Sequence, residues 1–208
     1  MTGDVGGLVK VPGGGERIVL MNAIPGTTRF VATIDQGPKV LLEIVDRLGN
    51  VTDRLTFPAC NCRAETSRDA LWVSQAGASA GQAIIRIAMD PESGRFAAKQ
   101  DTLFSGVFTN FAVSADGTKF VLDDGSTDSK IQAMPIADMF AGKFAGAPVI
   151  SSSSNLTTMI SPDGNRILKR QVIPNGHGSS TIRLTVVPFA GGQEAVGHHA
   201  GHRTADRA

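Results

Sequence analysis

The chain has 208 residues and carries 20 Lys and Arg against 19 Asp and Glu, which leaves a formal net charge of +1. A nearly neutral chain has no global field to attract nucleic acid, an anionic membrane or an acidic substrate, so any partner must be recognised locally. The 24 Gly and 10 Pro are spread among many Val, Ile and Thr, a composition typical of short strands joined by tight turns.

The N-terminal stretch GGLVKVPGGGERIVLM predicts a strand, a turn and a second strand over residues 7–22. Its segment VPGGGERIV does not fit the Gly-x-x-x-x-Gly-Lys-Ser/Thr pattern of a phosphate-binding loop and opens no helix, so we interpret it as a hairpin turn. TRFVATIDQ and VLLEIVDRLGNVTDRLT predict strands over residues 27–57. RDALWVSQ, AIIRIAMDPESGRF and AKQDTLF predict strands over residues 68–104.

The later part of the chain contains a repeat. NFAVSADGTKFVLDD aligns with TMISPDGNRILKR, with Ser114 opposite Ser161. In each copy a strand ends at Ser, an Asp-Gly pair follows, and a second apolar strand begins. Because Gly adopts positive φ freely and Asp can bond its own backbone, we expect this pair to close a hairpin. Asp163 is then a turn residue rather than a catalytic acid.

Two further strand candidates follow each hairpin: KIQAMPI and PVIS in residues 108–151, and TIRLTVVPF and EAVG in residues 156–197. ADMFAGKFAG, between the first two, has room for one or two helical turns. The spacing between units is about 45 residues, typical of the four-stranded blades of a β-propeller. It is measured between second-strand residues Phe30, Leu71, Phe120 and Ile167.

We therefore predict an all-β fold, a partial or open β-propeller of four-stranded antiparallel blades, with about four blades plus a half blade. Residues 1–197 form the blades: a half blade at 7–22 and blades at 27–57, 68–104, 108–151 and 156–197. Residues 198–208 are predicted to be a disordered tail. Neighbouring blades bury their faces against each other. The expected inter-blade core is Phe30, Ile34, Leu71, Val73, Phe111, Val113, Phe120, Leu122, Ile160, Ile167 and Leu168.

VSADGTKFVL and ISPDGNRILKR resemble the Ser-Pro-Asp-Gly-x-x-Ile repeat of TolB-like and WD-like β-propellers, and IIRIAMDPESGRF is similar to the outer-strand hairpin of such blades. In order and spacing the chain resembles propellers attached behind some bacterial serine/threonine kinases, and stand-alone periplasmic propellers. The resemblance spans most of the chain, although RFVATIDQGPK has no Asp-Gly between its opening strands. It implies a propeller fold and a general recognition role.

No strand candidate remains after Gly197 to complete the half blade, so we hypothesise that the chain is the C-terminal part of a longer propeller, or an incomplete one. No Gly-x-Ser-x-Gly elbow and no His-Arg-Asp or Asp-Phe-Gly motif occurs, so we predict neither a hydrolase nor a kinase domain. Cys60 and Cys62 stand one residue apart, which is awkward for a disulfide and half the ligand set of a structural zinc site. We interpret them as free thiols in a loop, with a redox or metal role as the alternative.

The histidines His198, His199 and His202 have a spacing that could chelate a divalent ion, although we interpret them as part of a tail with incidental affinity. His177 falls in a predicted loop. The carboxylates of DDGSTDS, Asp123 to Ser129, could bind a cation such as calcium, but they lack the ligand spacing of an EF-hand loop, so we interpret this segment as a solvated loop between strands.

The segment SSSSN, Ser151 to Asn155, is interpreted as a blade connection, since no elbow precedes it and no histidine is near it in sequence. Tyr is absent and Trp72 is the single Trp, so stacking platforms for sugars or single-stranded nucleic acid are scarce. Trp72 alternates with Leu71 and Val73 and is predicted to lie in the core. We assign no catalytic, cofactor-binding or metal-binding residue.

We predict a non-catalytic recognition module that binds a protein or peptide, with no nucleic-acid partner. The alternative is a regulatory or substrate-gating propeller of a larger enzyme, a serine/threonine kinase or a prolyl-oligopeptidase-type peptidase. No apolar run approaches the roughly 18 residues of a membrane span, so we expect no membrane insertion by this chain. The compartment is periplasmic or extracytoplasmic if a signal or anchor precedes the chain, and cytoplasmic otherwise.

Overall fold

The computed structural model describes residues 17–58, 63–76, 82–123, 130–142, 149–152, 156–176, 179–191 and 195–199. Within these ranges the strands form four separate sheets, each with four strands in chain order. Every strand pairs antiparallel with the next one in its sheet. The predicted all-β class with four-stranded antiparallel units is therefore confirmed.

The first sheet consists of β1 (Arg17–Ala23), β2 (Phe30–Asp35), β3 (Lys39–Val45) and β4 (Val51–Pro58). The second consists of β5 (Ala64–Ser67), β6 (Ala70–Ala76), β7 (Gln82–Asp90) and β8 (Arg95–Gly106). The third consists of β9 (Asn110–Val113), β10 (Lys119–Asp123), β11 (Lys130–Pro135) and β12 (Val149–Ser152), with the helical turn α1 (Ile136–Phe140) after β11. The fourth consists of β13 (Leu156–Ile160), β14 (Arg166–Gly176), β15 (Ser179–Pro188) and β16 (Ala195–His199).

The burial of individual strands follows from their sequence patterns. β3 reads KVLLEIV, and every residue after Lys39 is buried, as expected for a central strand that is covered on both faces. β7 reads QAIIRIAMD and alternates buried with half-buried positions over Ile85 to Met89, which is the period of two of a strand with one covered face.

The chain divides into two compact units, Met1–Gly106 and Val107–Ala208. In the first unit the first and second sheets pack face to face through aliphatic side chains. Val31 on β2 belongs to the same buried cluster as Leu71 on β6. The cluster contains Ile24, Val31, Val40, Leu42, Ile44, Phe57, Ala64, Leu71, Val73, Ile85, Ile87 and Met89. A second buried cluster, on the opposite face of the first sheet, contains Ala32, Ile34, Leu41 and Val45.

In the second unit the third and fourth sheets pack in the same way. Val121 on β10 shares a buried cluster with Ile167 on β14, together with Ile131 and Ala133. On the opposite face of the third sheet the rings of Phe111 and Phe120 stack with centroids 5.8 Å apart. In both units, therefore, one second-strand residue shares a buried cluster with a second-strand residue of the next sheet. These residues are Val31, which directly follows Phe30, with Leu71, and Val121, which directly follows Phe120, with Ile167.

The start of the first unit differs from the sequence prediction. The sequence predicts that residues 7–22 form a separate half blade of two strands that precedes the first full blade. In the structure, β1 pairs with β2, with Ala23 opposite Phe30, so residues 17–23 are the first strand of the first sheet. Residues 7–16 lie outside the described residues. The error arose because Pro25 and Gly26, rather than Asp-Gly, make the turn between these strands, with Gly26 at φ 76°.

Two other boundaries also change. β5 supplies the first strand of the second sheet, four residues before the predicted unit at 68–104, because Ala-Glu-Thr-Ser has no apolar strand pattern. β16 extends to His199, so His198 and His199, assigned to the tail, belong to the last strand. The helical turn predicted near ADMFAGKFAG is present as α1.

The predicted core is largely observed. Phe30, Ile160 and Leu168 are half-buried. The other eight residues are buried: Ile34, Leu71, Val73, Phe111, Val113, Phe120, Leu122 and Ile167.

Candidate functional site

The Ser-x-Asp-Gly repeats form the turns between the first and second strands of the third and fourth sheets. In the fourth sheet, Ser161 Oγ accepts a hydrogen bond of 3.0 Å from Arg166 N and donates to the Asp163 carboxylate. The same carboxylate accepts a bond of 3.1 Å from Asn165 N. Gly164 has φ 68°, a conformation that a residue with a side chain rarely adopts.

The third sheet repeats this turn with equivalent residues. Ser114 Oγ accepts a bond of 2.9 Å from Lys119 N and donates to the Asp116 carboxylate, which accepts a bond of 3.0 Å from Thr118 N. Gly117 has φ 70°. The sequence prediction that Asp-Gly closes a hairpin in both repeats is confirmed.

Hydrogen bonds lower the pKa of both turn carboxylates. The hydrogen bond from Ser161 is the largest of the effects that lower the pKa of Asp163, and the bond from Asn165 N lowers it further. The bond from Ser114 lowers the pKa of Asp116 in the same way. A carboxylate with a lowered pKa stays ionised at neutral pH, so these aspartates lack the raised pKa that general acid catalysis requires.

The second sheet makes the corresponding turn with Ser67 and Asp69. Trp72 is buried, and its Nε1 donates a bond of 3.0 Å to Ser67 Oγ. The Arg86 guanidinium lies 5.7 Å from the centroid of the Trp72 ring and donates a bond of 2.8 Å to Asp69. The core position predicted for Trp72 is therefore confirmed, and its polar atom is occupied within the sheet.

At the same end of the first unit, side chains of the first sheet bond to the backbone of the β7–β8 turn. Arg29 Nη2 lies 2.9 Å from the carbonyl oxygen of Glu92, and Arg29 Nη1 bonds to the carbonyl of Pro91. Thr52 Oγ1 donates a bond of 2.9 Å to the carbonyl of Gly94. These contacts fix the two sheets to each other at their turn ends.

The second unit has an equivalent contact from Lys119. Its Nζ lies 2.9 Å from the carbonyl oxygen of Gly164 and 3.1 Å from Asn165 Oδ1. The ammonium also lies 5.1 Å from the centroid of the Phe189 ring. The charged side chain of one repeat therefore anchors the Asp-Gly turn of the next.

Two large apolar side chains are exposed where the third strand connects to the fourth. Leu48, in the β3–β4 turn of the first unit, has 77% of its surface exposed. Phe140, at the end of α1 in the second unit, has 52% exposed. The sequence prediction did not single out either residue. The available indication was an apolar residue within a turn pattern, Asp-Arg-Leu-Gly-Asn for Leu48.

Ionisable pairs elsewhere are structural in character. Glu43 is buried on β3 and accepts a bond of 2.8 Å from Arg54 Nε on β4. Burial raises the pKa of Glu65, while the neighbouring Arg63, 2.9 Å away, acts to lower it. Each carboxylate is thus paired with an arginine of its own sheet.

The remaining predicted candidates do not assemble into a site that the structure describes. Cys60, Cys62, His177 and His202 lie outside the described residues, as do 124–129 and 153–155. Asp123 is buried at the end of β10, and Ser151 and Ser152 end β12. His198 and His199 lie on β16 opposite Arg183 and Ile182.

In the part of the chain that the structure describes, no three His, Cys, Asp or Glu residues are grouped so that they could hold a metal ion. Among those same residues, no helix has the length and apolarity needed to cross a membrane.

Comparison with known proteins identifies the fold. No protein-family model matches the sequence, and no curated protein sequence matches it significantly. The structure is similar to TolB from Acinetobacter baumannii, with a TM-score of 0.62 at 15% identity over 87% of this chain and 43% of that one. It is also similar to the β-propeller domain of the Trilobed protease from Pyrococcus furiosus, which has an open velcro topology, with a TM-score of 0.54 at 9% identity.

The protease match covers 88% of this chain and 57% of that one, so this chain spans less than two thirds of the length of either structure. With the four four-stranded antiparallel sheets, these similarities show a TolB-like fold of the partial, open β-propeller class. At this level of identity they establish the fold alone.

Proposed function

We propose that this chain is a non-catalytic β-propeller recognition module that binds a protein or peptide partner. The observation that supports the proposal most directly is the use of the repeated carboxylates. Asp116 and Asp163 are bonded to their own turns and have lowered pKa values. Lys119 is bonded to the neighbouring turn. The charged groups of the repeat therefore serve the geometry of the turns, and other residues must carry the binding.

The proposed contact residues are Leu48 and Phe140, each within its own unit. Both stand on connections between the third and fourth strands, where loops are held by rigid sheets. An exposed apolar side chain on such a loop suits contact with an apolar residue of a partner, which is the type of contact that dominates many interfaces. The net charge of +1 favours a partner chosen by shape and apolar contact rather than by long-range charge.

A peptide-library experiment tests this proposal. The purified chain is used to select peptides from a random displayed library, and the affinity of the enriched peptides is measured by fluorescence polarisation. We expect Leu48→Ser or Phe140→Ser to weaken binding by about tenfold, which corresponds to about 1.4 kcal/mol. Val107→Ser, at another exposed apolar residue, is the matched control and should leave affinity unchanged. Failure to enrich any peptide, or equal binding by all three variants, would contradict the proposal.

A second candidate function is a regulatory or gating propeller of a larger peptidase. The similarity to the propeller domain of the Trilobed protease favours it, and the kinase form of this alternative rests on the sequence resemblance. Mass spectrometry of tryptic peptides from the endogenous protein tests the idea, because it detects any peptides that extend beyond this sequence. Peptides from a catalytic domain on the same polypeptide would support the gating function. Their absence from a fully covered endogenous protein would exclude it.

A further inference from the structure

The end of the β14–β15 hairpin has fewer strand neighbours than the rest of the fourth sheet. Among the described residues, β13 pairs with β14 no further than Gln171, and β16 pairs with β15 no further than Ile182. β14 and β15 continue to pair with each other as far as Gly176 and Ser179. This end of the hairpin is therefore a ribbon of two strands. Since such a ribbon is only marginally stable by itself, we expect it to open locally more often than the rest of the sheet.

Asn175 is the extra residue of a bulge in this ribbon. Pro174 pairs with Ser180 and Gly176 pairs with Ser179, so one residue of β14 stands between two pairs that are consecutive on β15. A bulged residue lies outside the regular ladder of strand hydrogen bonds. Asn175 is also exposed. Its position therefore combines access to water with a backbone that is less constrained than that of a regular strand.

The residue after Asn175 is Gly176, and no other Asn in the sequence is followed by Gly. The backbone nitrogen of Gly176 can attack Cγ of Asn175, because glycine has no Cβ to hinder the approach and few restrictions on its backbone. A bond forms between that nitrogen and Cγ, the bond from Cγ to Nδ2 breaks, and the nitrogen loses its proton. Ammonia leaves and a succinimide ring remains. Water then opens the ring at either carbonyl carbon to give aspartate or isoaspartate.

A contact across the hairpin opposes this reaction. Asn175 Nδ2 donates a hydrogen bond of 2.6 Å to Thr181 Oγ1 on β15. Ring closure requires the side-chain amide of Asn175 to turn toward the backbone nitrogen of Gly176, so the bond to Thr181 must break first. The rate of the reaction in the folded chain should therefore depend on the Thr181 hydroxyl.

We propose that Asn175 is a site of spontaneous deamidation and that the hydroxyl of Thr181 slows its conversion. The new carboxylate removes the formal net charge of +1. Isoaspartate also places the Cβ methylene in the backbone, which displaces Gly176 from its pairing with Ser179. The end of the hairpin therefore changes its charge and its strand pairing with time. This modification is separate from the proposed recognition function and does not depend on it.

Mass spectrometry of the aged protein tests the site. The folded chain is incubated in mildly alkaline buffer at physiological temperature and then digested briefly with trypsin. Cleavage after Arg170 and Arg183 releases residues 171–183, in which Asn175 is the single Asn. We expect aspartate and isoaspartate to accumulate at Asn175, identified by the mass gain of an amide-to-acid conversion and by electron-transfer fragmentation. Asn165, which is exposed and followed by Arg166, is the internal control and should keep its amide.

Three variants test the roles of the neighbouring residues, each checked for an unchanged circular dichroism spectrum and unfolding midpoint. Thr181→Val removes the acceptor, and we expect conversion about fivefold faster, which corresponds to the loss of a hydrogen bond of about 1 kcal/mol. Ser180→Ala removes an exposed hydroxyl from the adjacent residue and is the matched control, with the wild-type rate. Gly176→Ala should convert much more slowly, because its Cβ hinders the attacking nitrogen.

Three results would overturn the proposal. If Asn175 keeps its amide in the folded chain over a time in which the urea-unfolded chain converts completely, the end of the hairpin does not open. Equal rates for Thr181→Val and wild type would contradict the restraint by Thr181. Conversion of Asn165 as fast as that of Asn175 would show that neither the bulge nor the following glycine selects the site.

Discussion

Lys119 of the third sheet donates a hydrogen bond of 2.9 Å to the carbonyl oxygen of Gly164, in the Asp-Gly turn of the fourth sheet. Lys119 itself follows the equivalent Asp-Gly turn of the third sheet, so the contact links one copy of the repeat to the next. The ammonium also lies 5.1 Å from the ring centroid of Phe189. A residue of the repeat is therefore bonded to another copy of the same repeat, and this contact helps to hold the two sheets together.

Replacement of Lys119 tests this link. Lys119→Met keeps the aliphatic stem and removes the ammonium, and we expect the free energy of unfolding to fall by about 1–2 kcal/mol because a charge-assisted bond and a cation–π contact are lost. Urea unfolding measures the change. Lys39→Met, at an exposed lysine on β3, is the control and should change stability little. Equal effects of the two substitutions would contradict a specific bridge.

The hydroxyl of Ser114 is expected to stabilise the third sheet more than an exposed hydroxyl does. Ser114 is fully buried and its Oγ accepts a bond of 2.9 Å from Lys119 N. Ser114→Ala leaves the partly buried N–H of Lys119 without its side-chain acceptor, at a cost of about 1–3 kcal/mol. Chemical denaturation of Ser114→Ala and of Ser105→Ala, an exposed serine on β8, makes the comparison. An unchanged midpoint for Ser114→Ala would refute the assignment.

Two glycines with positive φ should respond differently to alanine. Gly94 has φ 66°, and a Cβ there would stand 2.7 Å from Arg29 Nε, within the contact between the first and second sheets. Gly26 has φ 76°, but a Cβ there would have no heavy atom within 4 Å. Gly26→Ala should cost about 1–2 kcal/mol from the backbone alone. Gly94→Ala should cost more, since Arg29 must also move. Thermal unfolding of the two variants distinguishes these effects, and a larger loss for Gly26→Ala would contradict the contact.

Stability should decline in acid because several turn carboxylates have lowered pKa values. Hydrogen bonds from Asn50, Ser93, Ser114 and Ser161 are the leading causes at Asp46, Asp90, Asp116 and Asp163, respectively. A carboxylate whose folded pKa is lowered contributes stability that is fully present above its ordinary pKa of 3.8 and is lost as the pH falls through the folded pKa. Glu65, whose pKa is raised by burial, acts in the opposite direction.

The urea midpoint measured from neutral pH downward should therefore be nearly constant until it approaches the ordinary pKa of aspartate, and should then decrease. Glu65→Gln should make the acid loss steeper, since it removes the one opposing contribution among these five groups. A midpoint that rises steadily with acidification would contradict the hydrogen bonding at the turns.

The sequence identified the elements that share the Asp-Gly repeat and misplaced those that do not. The third and fourth sheets were predicted with their turns because Ser114 and Ser161 stand before the same motif. The sequence prediction gave the first sheet one strand too few, because Pro25 and Gly26 form the turn between β1 and β2 without an Asp-Gly pair. The sequence prediction for the second sheet omitted β5, because its four residues show no apolar alternation.

The proposed contact residues were harder to predict than the fold. Leu48 and Phe140 are apolar residues in short connections, and only the arrangement of the strands shows that both connections join a third strand to a fourth. Met159 on β13 is 56% exposed, and its exposure likewise depends on which face of its sheet is covered, since strand alternation alone cannot distinguish the two faces of a blade. Local turn chemistry was therefore predictable, whereas exposure on a particular face required the tertiary packing.

The central claim is that the repeated aspartates are structural residues of a recognition module. The most direct test has two parts. The first is urea unfolding of the double variant Asp116→Asn/Asp163→Asn. The second is fluorescence polarisation of the folded variant with a library-selected peptide, in buffer without urea. We predict a lower unfolding midpoint and an unchanged peptide affinity. An unchanged midpoint together with lost affinity would show that these aspartates contact the partner, and would contradict the account.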